Sequence, residues 1–196
     1  MLNKRIFDIS LIIITFPLTF FLFLIIMILN FFINGTPVFF YQNRVGYKNK
    51  IFTIYKFRTM PLNNDFNDKI LSLSKWNKFL RNSSLDEIPE LYNVFKGEMS
   101  LVGPRPLLVE YLKIYNDKNI KRHNTLPGIT GLSQVSGRNK ISWKEKFQYD
   151  LYYVNNKNIF LDIIILLKTI FKLFAYKDNN FSENIAMEKF SEKSEQ

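Results

Sequence analysis

The chain has 196 residues, of which 47% are hydrophobic and 16% aromatic, and its net charge is +10. This length suits one domain, and the charge indicates an anionic partner: nucleic acid, anionic lipid or a phosphorylated substrate. The chain has no cysteine and a single histidine, His123, which excludes disulfides, thiol catalysis and zinc fingers. We interpret His123 as a loop residue without a catalytic role.

The first element is an uncharged run at residues 9–33 that exceeds the roughly 20 apolar residues needed to cross a bilayer. The run is long for a signal peptide, and no small-residue cleavage site follows it. Lys4 and Arg5 precede the run, and three basic residues follow it within residues 44–50. The positive-inside rule therefore draws both ends toward the cytoplasm.

Pro17 lies inside this run, where it removes a backbone donor and bends or breaks a helix at a cost of about 3 kcal/mol unless neighbours compensate. Phe16 precedes the proline and is pushed away from helical geometry, so it marks the bend. We predict a re-entrant helix-break-helix whose two ends lie on one membrane face. A straight or proline-kinked span is the alternative.

The globular part begins after Gly35 and Pro37 with two predicted strands. Residues 38–42 (VFFYQ) and 51–60 (IFTIYKFRTM) are rich in aromatic and β-branched side chains, and the polar sequence GYKNK joins them. Alternation along an extended strand places Lys56 and Arg58 on one face, where two cations could hold a diphosphate. A solvated strand edge protected by charge is the alternative.

Helices are predicted at residues 75–82, 89–96 and 107–115. The sequence GPRP separates the last two. Prolines on both sides of Arg105 lower the entropy that is lost when its guanidinium binds an anion. A rigid linker with an exposed arginine is the alternative.

The C-terminal third is predicted to contain a long functional loop at residues 126–143. Residues 158–177 then predict an amphipathic helix in the headgroup layer, with a buried core helix as the alternative. The polar tail beyond is expected to be loosely ordered or disordered.

Two adjacent carboxylates, Asp86 and Glu87, lie in the sequence SSLDEIPEL at residues 83–91. Ser84 with Glu87 three residues later fits a capping box, and acidic residues in a first turn favour the helix dipole. Alternatively, a carboxylate held near positive charge stays ionised and can attack phosphorus. The local pattern leaves both interpretations open.

Six motifs occur in the order seen in the bacterial monotopic phosphoglycosyl transferases: KRIFD, QNRVG, IYKFRTM, SLDEIPELYNVFKGEMSLVGPRPLLVEY, PGITGLSQVSGRN and ISWKEKFQYDLYYV. The sequence resembles the small, single-domain members of that family from residue 4 to about residue 177. The resemblance implies a largely helical α+β fold with a re-entrant membrane hairpin at residues 1–33, a catalytic domain at 34–178 and a polar tail at 179–196. It also implies the bacterial inner (cytoplasmic) membrane, with the catalytic domain on the cytoplasmic face.

The resemblance implies transfer of a phosphosugar from a UDP-sugar to undecaprenyl phosphate, giving a polyprenyl diphosphate sugar and UMP through a covalent phosphosugar-aspartate. Asp86 is then the nucleophile and Glu87 a ligand of the cofactor Mg²⁺, which helps neutralise the diphosphate. The sugar expected first is UDP-N,N'-diacetylbacillosamine, an N-acetylated amino sugar, because LLVEYL, ISWKEKF and a C-terminal EKF match the N-linked glycan enzyme. Membrane lipid, a second copy of the chain and downstream glycosyltransferases are further expected partners.

Other residues carry over from the family with broader roles. Contacts to the UDP-sugar phosphates are expected from Lys56, Arg58, Arg105 and Arg138. Lys4 and Arg5 are expected to meet lipid headgroups or the polyprenyl phosphate, Arg81 can serve either purpose, and Phe16 with Pro17 matches the hairpin break. Two positions depart from the family: Phe16 often is serine, and Leu126 commonly is arginine, so one anion contact is missing here.

Two other classes of protein remain as alternatives. A non-catalytic basic membrane adaptor explains the apolar run and the charge, but it does not require Asp86 beside Glu87. A membrane-tethered nucleic-acid binder explains the charge and the aromatic residues, yet the sequence contains no recognised helix-turn-helix, RRM or zinc pattern. We therefore expect no nucleic-acid partner.

Overall fold

A computed structural model of the chain describes residues 2–61, 73–137, 140–174 and 190–191. Within these ranges the helices are α1 Leu2–Asn34, α2 Lys75–Asn82, α3 Glu90–Lys96, α4 Leu132–Ser136, α5 Trp143–Asn156 and α6 Ile159–Phe174. The strands are β1 Phe39–Val45, β2 Ile51–Phe57, β3 Ser100–Val102 and β4 Gly128–Thr130. The predicted architecture, mostly helical with short strands, is confirmed.

Helix α1 has the length and apolar composition of a membrane-crossing helix, with a mean hydropathy of 2.9 over its most apolar window. It is helical without interruption through Pro17. The predicted break of the helix at Phe16 and Pro17 is therefore wrong, because a proline can remove one internal hydrogen bond while the turns on either side stay helical. The re-entrant topology itself stays a prediction.

Both halves of α1 pack against the globular part. Ile12 in the first half contacts the cluster that contains Ile54, and Ile26 in the second half packs with Phe57 and Leu80. The side chains at residues 13–18 between them are exposed. Helix α1 is thus attached to the globular part on both sides of Pro17.

Strands β1 and β2 form the predicted antiparallel hairpin, in register from Phe39 opposite Phe57 to Val45 opposite Ile51. A 3₁₀ turn over Tyr47–Asn49 connects them. Strand β2 ends at Phe57, although the Arg58 backbone N–H still donates to Val38 O at 2.8 Å. The side chains of Lys56 and Arg58 do not act together as predicted, because Arg58 donates to backbone carbonyl oxygens at the end of α1.

Strands β3 and β4 form a short parallel pair, with Ser100 opposite Gly128 and Val102 opposite Thr130. The backbones come so close that a Cβ atom on Gly103 would lie 2.4 Å from the Leu126 carbonyl oxygen. The long loop predicted at residues 126–143 is wrong, because it contains β4 and α4. Elements of three and five residues are too short to show a period in the sequence.

The helix predicted at residues 107–115 is a shorter 3₁₀ helix at Val109–Lys113. The predicted helices at 75–82 and 89–96 are confirmed within one residue. Helix α6 presents an exposed apolar side that includes Phe160 and Phe171, exposed by 80% and 72%, while Ile165 is fully buried. This pattern fits the predicted amphipathic helix.

An aromatic cluster contains one residue of the predicted tail. Phe190, only 2% exposed, packs against Tyr111, Phe147 and Trp143. The expectation of a loosely ordered tail is therefore wrong at Phe190. Residues 179–189 and 192–196 of the tail lie outside the described residues. His123 is also not a loop residue: it is buried in the 3₁₀ helix Asn119–Asn124, and its Nδ1 lies 2.6 Å from Asn49 Oδ1.

Candidate active site

The two adjacent carboxylates lie on a 3₁₀ turn, Leu85–Glu87, between α2 and α3. Ser84 precedes the turn in the left-handed conformation (φ 56°), and its side chain makes no capping hydrogen bond. The expected capping box is therefore wrong, because a residue in that conformation does not aim its hydroxyl at the following backbone N–H groups. Asp86 and Glu87 are buried, with exposures of 8% and 9%.

Glu87 is held by two cations from distant parts of the chain. Lys56 Nζ donates to Glu87 Oε1 at 2.5 Å, and Arg105 Nη2 donates to the same oxygen at 2.7 Å. Burial favours the neutral acid, but the charges of Arg105 and Lys56 outweigh it and hold the pKa of Glu87 well below its usual range. Glu87 is therefore a carboxylate at any physiological pH.

Asp86 has a different environment. Within the described residues its carboxylate oxygens accept no hydrogen bond and form no ion pair. Burial and the adjacent negative charge of Glu87 raise the pKa of Asp86 to about 6, while Lys56, Arg81 and Arg105 partly offset the rise. At neutral pH Asp86 is still mostly ionised, because its pKa stays below 7, and its lone pairs are available.

A third carboxylate, Glu90, was missed by the sequence analysis. It is 2% exposed at the start of α3, and its Oε1 lies 3.2 Å from Lys56 Nζ. Burial and the charge of Glu87 raise the pKa of Glu90 to about 7. The spacing of three residues from Glu87 to Glu90 places both on one helical side, and this signal could have found it.

Lys56 and Arg105 meet at Glu87, and Arg81 lies near enough for its charge to act on Asp86. Arg58 is elsewhere: it is 7% exposed and donates to the carbonyl oxygens of residues 34, 35 and 37, at and just beyond the end of α1. Arg138 lies outside the described residues. Of the predicted basic residues, Lys56, Arg81 and Arg105 are thus those that the structure brings near the carboxylates.

The two basic residues at the start of α1 contact protein groups. Lys4 Nζ donates to Asp162 Oδ2 of α6 at 2.6 Å. Arg5 donates to the carbonyl oxygens of Val94 and Phe95, in the last turn of α3. In this arrangement both side chains attach α1 to the globular part.

The described residues include no group of three or more His, Cys, Asp or Glu side chains arranged to hold a metal ion. Mg²⁺, however, is commonly held by one or two carboxylates together with substrate phosphates and water. Lys56 and Arg105 both bind Oε1 of Glu87, and its Oε2 has no partner among the described residues. One free carboxylate oxygen beside Asp86 fits a magnesium ion shared with a diphosphate.

Residues 1–176 match the family model described as bacterial sugar transferase. The chain belongs to this family. As a bacterial sugar transferase it is 45% identical, over 80% of each chain, to the uncharacterized sugar transferase EpsL of Bacillus subtilis. It is 34% identical to the exopolysaccharide production protein ExoY of Sinorhizobium fredii, over 86% of this chain and 84% of that one.

A third relative is larger. The undecaprenyl-phosphate galactose phosphotransferase of Salmonella typhimurium is 39% identical over 69% of this chain, which corresponds to 33% of that protein. Family membership makes the chain an enzyme, a sugar-phosphate transferase, and it excludes the adaptor and nucleic-acid interpretations as descriptions of its main role.

Proposed function

We propose that the protein transfers a sugar 1-phosphate from a UDP-sugar to undecaprenyl phosphate and releases UMP. One observation carries this proposal: Asp86 is a buried carboxylate without a partner among the described residues, next to Glu87, which two cations hold. A nucleophile must keep its lone pairs free, and an anionic substrate must meet positive charge. The printed name of the Salmonella relative supports undecaprenyl phosphate as the acceptor.

In the first step an Asp86 carboxylate oxygen attacks the phosphorus that carries the sugar. The bond from this phosphorus to the bridging oxygen breaks, and UMP leaves with the electron pair. The phosphosugar is then bound covalently to Asp86. In the second step a phosphate oxygen of the lipid attacks the same phosphorus, and the Asp86 carboxylate is released.

Lys56 and Arg105 already face the carboxylates, so they lower the electrostatic cost of bringing a diphosphate to an anionic nucleophile. Arg105 is the more accessible, with 44% of its side chain exposed, which suits direct contact with a substrate phosphate. Glu87 would hold Mg²⁺ through Oε2, and the bound ion would supply further neutralisation of the diphosphate charge. Glu90 keeps Lys56 between two carboxylates.

The packing of α1 supports a re-entrant placement at the cytoplasmic face of the inner membrane. The ten residues 13–22 separate the two parts of α1 that contact the globular core. At about 1.5 Å per residue they extend about 15 Å, roughly half of the 30 Å hydrocarbon core. If α1 turns at Pro17, in the middle of this stretch, each arm is about 7 Å long, so the turn stays within one leaflet.

This placement can be tested with single cysteines, since the chain has none of its own. Asn3→Cys and Thr36→Cys place a thiol at either end of α1, in two variants reconstituted into sealed vesicles of known orientation. A membrane-impermeant maleimide is expected to label both variants from the same side. Labelling from opposite sides would contradict the re-entrant placement and establish a span.

For the sugar we propose an N-acetylated amino sugar, with UDP-N,N'-diacetylbacillosamine first. Support comes from the resemblance in LLVEYL, ISWKEKF and EKF, since no residue of the site identifies a sugar hydroxyl or acetamido contact. The name of the Salmonella relative makes UDP-galactose the first competitor. Dimerisation and transfer of the product to downstream glycosyltransferases complete the proposal.

The deciding experiment is UMP release from a panel of UDP-sugars, with Mg²⁺ and undecaprenyl phosphate, by purified protein in detergent. We expect UMP from an N-acetylated amino sugar and none from Asp86→Asn. Asp117→Asn is the matched control, because Asp117 is an exposed aspartate away from the site. UDP as the product would contradict the phosphosugar mechanism, and a folded wild type that releases no UMP from any sugar would contradict the proposed reaction.

A further inference from the structure

A second buried cluster of charge lies outside the carboxylate site. Arg122 and Asp150 are 2% and 3% exposed, and Arg122 Nε and Nη2 donate to Asp150 Oδ2 at 3.0 and 2.7 Å. Ser133 Oγ donates to Asp150 Oδ1 at 2.9 Å. Both oxygens of Asp150 are therefore satisfied, and the cluster joins the 3₁₀ helix Asn119–Asn124 to α4 and α5.

Arg122 also makes a contact that connects this cluster to the site. Its Nη2 donates to the backbone carbonyl oxygen of Arg105 at 2.7 Å. The side chain of Arg105 extends away from that contact to Glu87 Oε1, also at 2.7 Å. The backbone of Arg105 is thus held by one charged residue while its guanidinium faces another.

The composition of the turn explains why its carbonyl groups matter. Pro104 and Pro106 have no backbone N–H, so they cannot anchor the turn as donors. Instead three consecutive carbonyl oxygens accept: Pro104 from Gly128 N at 3.1 Å, Arg105 from Arg122, and Pro106 from Arg44 Nη1 at 3.4 Å. The Arg122 contact is the shortest of the three, and its donor is a buried cation, which makes a strong hydrogen bond.

We propose that Arg122, itself fixed by Asp150, is a positioning residue that orients Arg105 for the diphosphate of the substrate. This inference rests on the proposed function. Without the hydrogen bond to its carbonyl, the Arg105 backbone gains freedom, and binding an anion then costs more entropy. Arg122 itself is buried and need not touch the substrate.

The experiment is a double-mutant cycle read by calorimetric titration of UDP in the presence of Mg²⁺. The variants are Arg105→Ala, Arg122→Lys and the double variant. Lysine keeps the positive charge against Asp150 but lacks the planar fork that serves two acceptors at once. We expect Arg122→Lys to weaken UDP binding about tenfold and Arg105→Ala about a hundredfold.

Because Arg122 acts through Arg105, the double variant should bind UDP no more weakly than Arg105→Ala alone. Independent, multiplying losses in the double variant would overturn the inference, as would unchanged UDP affinity in Arg122→Lys. A folded wild type that does not bind UDP would instead refute the proposed function, and the inference with it.

Two further variants separate positioning from general destabilisation. Ser100→Ala removes a buried serine–aspartate hydrogen bond of 2.7 Å, to Asp8 of α1, and should lower the melting temperature without changing UDP affinity. If Arg122→Lys does not fold, Arg122→Gln combined with Asp150→Asn removes both buried charges together. It is expected to weaken UDP binding at least as much, and wild-type affinity there would also overturn the inference.

Discussion

Two buried groups of charged residues lie on either side of the Arg105 turn, and they differ in how far their polar atoms are satisfied. In the Arg122–Asp150 cluster both carboxylate oxygens have protein partners. In the site Glu87 has two cations, while Asp86, equally buried, has no partner within the described residues. A buried carboxylate without a partner is costly. The first cluster therefore supports structure, whereas the second leaves the Asp86 oxygens available, as the proposed chemistry requires.

The largest expected effect is at Asp86, where a substitution should abolish activity without lowering stability. Asp86→Asn removes the proposed nucleophile but keeps its volume, so UMP formation should fall by about 10³-fold or more. Burial already disfavours the charged form of this residue, so the neutral amide should leave the melting temperature at pH 7.5 unchanged or higher. UMP formation is measured with Mg²⁺ present, and the melting temperature is measured without it. If the Asp86→Asn variant retained activity, or unfolded at a much lower temperature, the contrast between the site and the Arg122–Asp150 cluster would be wrong.

Asp150 should show the opposite behaviour. Asp150→Ala leaves the Arg122 charge buried and unpaired, which typically lowers the free energy of unfolding by about 3–5 kcal/mol. Chemical denaturation in detergent, followed by tryptophan fluorescence, measures the loss, with Asp117→Asn as the surface control. A loss close to zero would show that the cluster is not the structural support described above.

Lys56 tests the charge balance of the site. Lys56→Met keeps much of the side-chain volume but leaves Glu87 with Arg105 alone, so turnover should fall by about 10²-fold, as when one stabilising donor is removed from an active site. Initial rates of UMP release at saturating undecaprenyl phosphate measure it. Lys48→Met, on the exposed turn between β1 and β2, is the control. Equal rates in the two variants would exclude Lys56 from the mechanism.

The smallest expected effect concerns Glu90 and depends on pH. Its pKa is raised from 4.5 to about 7 in the folded chain, so the wild type loses stability from this group as the pH rises through that interval. Glutamine does not titrate, so the stability advantage of Glu90→Gln should grow between about pH 4.5 and 7, by on the order of 1 kcal/mol, and then stay constant. Melting temperatures of both proteins from pH 4.5 to 8 provide the test. A difference that does not change with pH would contradict it.

Local sequence and resemblance predicted the secondary structure near the site well, because α2, α3 and the β1–β2 hairpin have clear patterns. They could not predict which oxygen each cation binds. Lys56 and Arg105 are 31 and 18 residues from Glu87, and only the tertiary packing brings them together. The resemblance proposed Asp86 and Glu87 as a pair, but the unequal environments of the two residues appear only in the structure.

Arg58 and Arg122 show that the sequence does not reveal which arginines lie near the site. One was predicted there and lies elsewhere, and the other was not predicted. Arg58 was predicted to hold substrate from strand alternation and from the family resemblance, but its guanidinium donates to backbone carbonyl oxygens at the end of α1. Arg122 was not predicted at all, since it lies in a six-residue 3₁₀ helix with no periodic pattern, and its partners are 17 and 28 residues away. A buried charge is found by its contacts, and these depend on the fold.

The attachment of α1 at both of its ends has a consequence for how the two substrates arrive. With both ends fixed to the globular part, the height of Asp86 above the lipid is set by side-chain packing and not by a flexible tether. Under the proposed function, a lipid-borne phosphate is confined to a similar height and reaches the site by lateral diffusion in two dimensions, whereas the nucleotide sugar diffuses to it through the aqueous volume. The same carboxylate would then receive one substrate from the membrane plane and the other from solution.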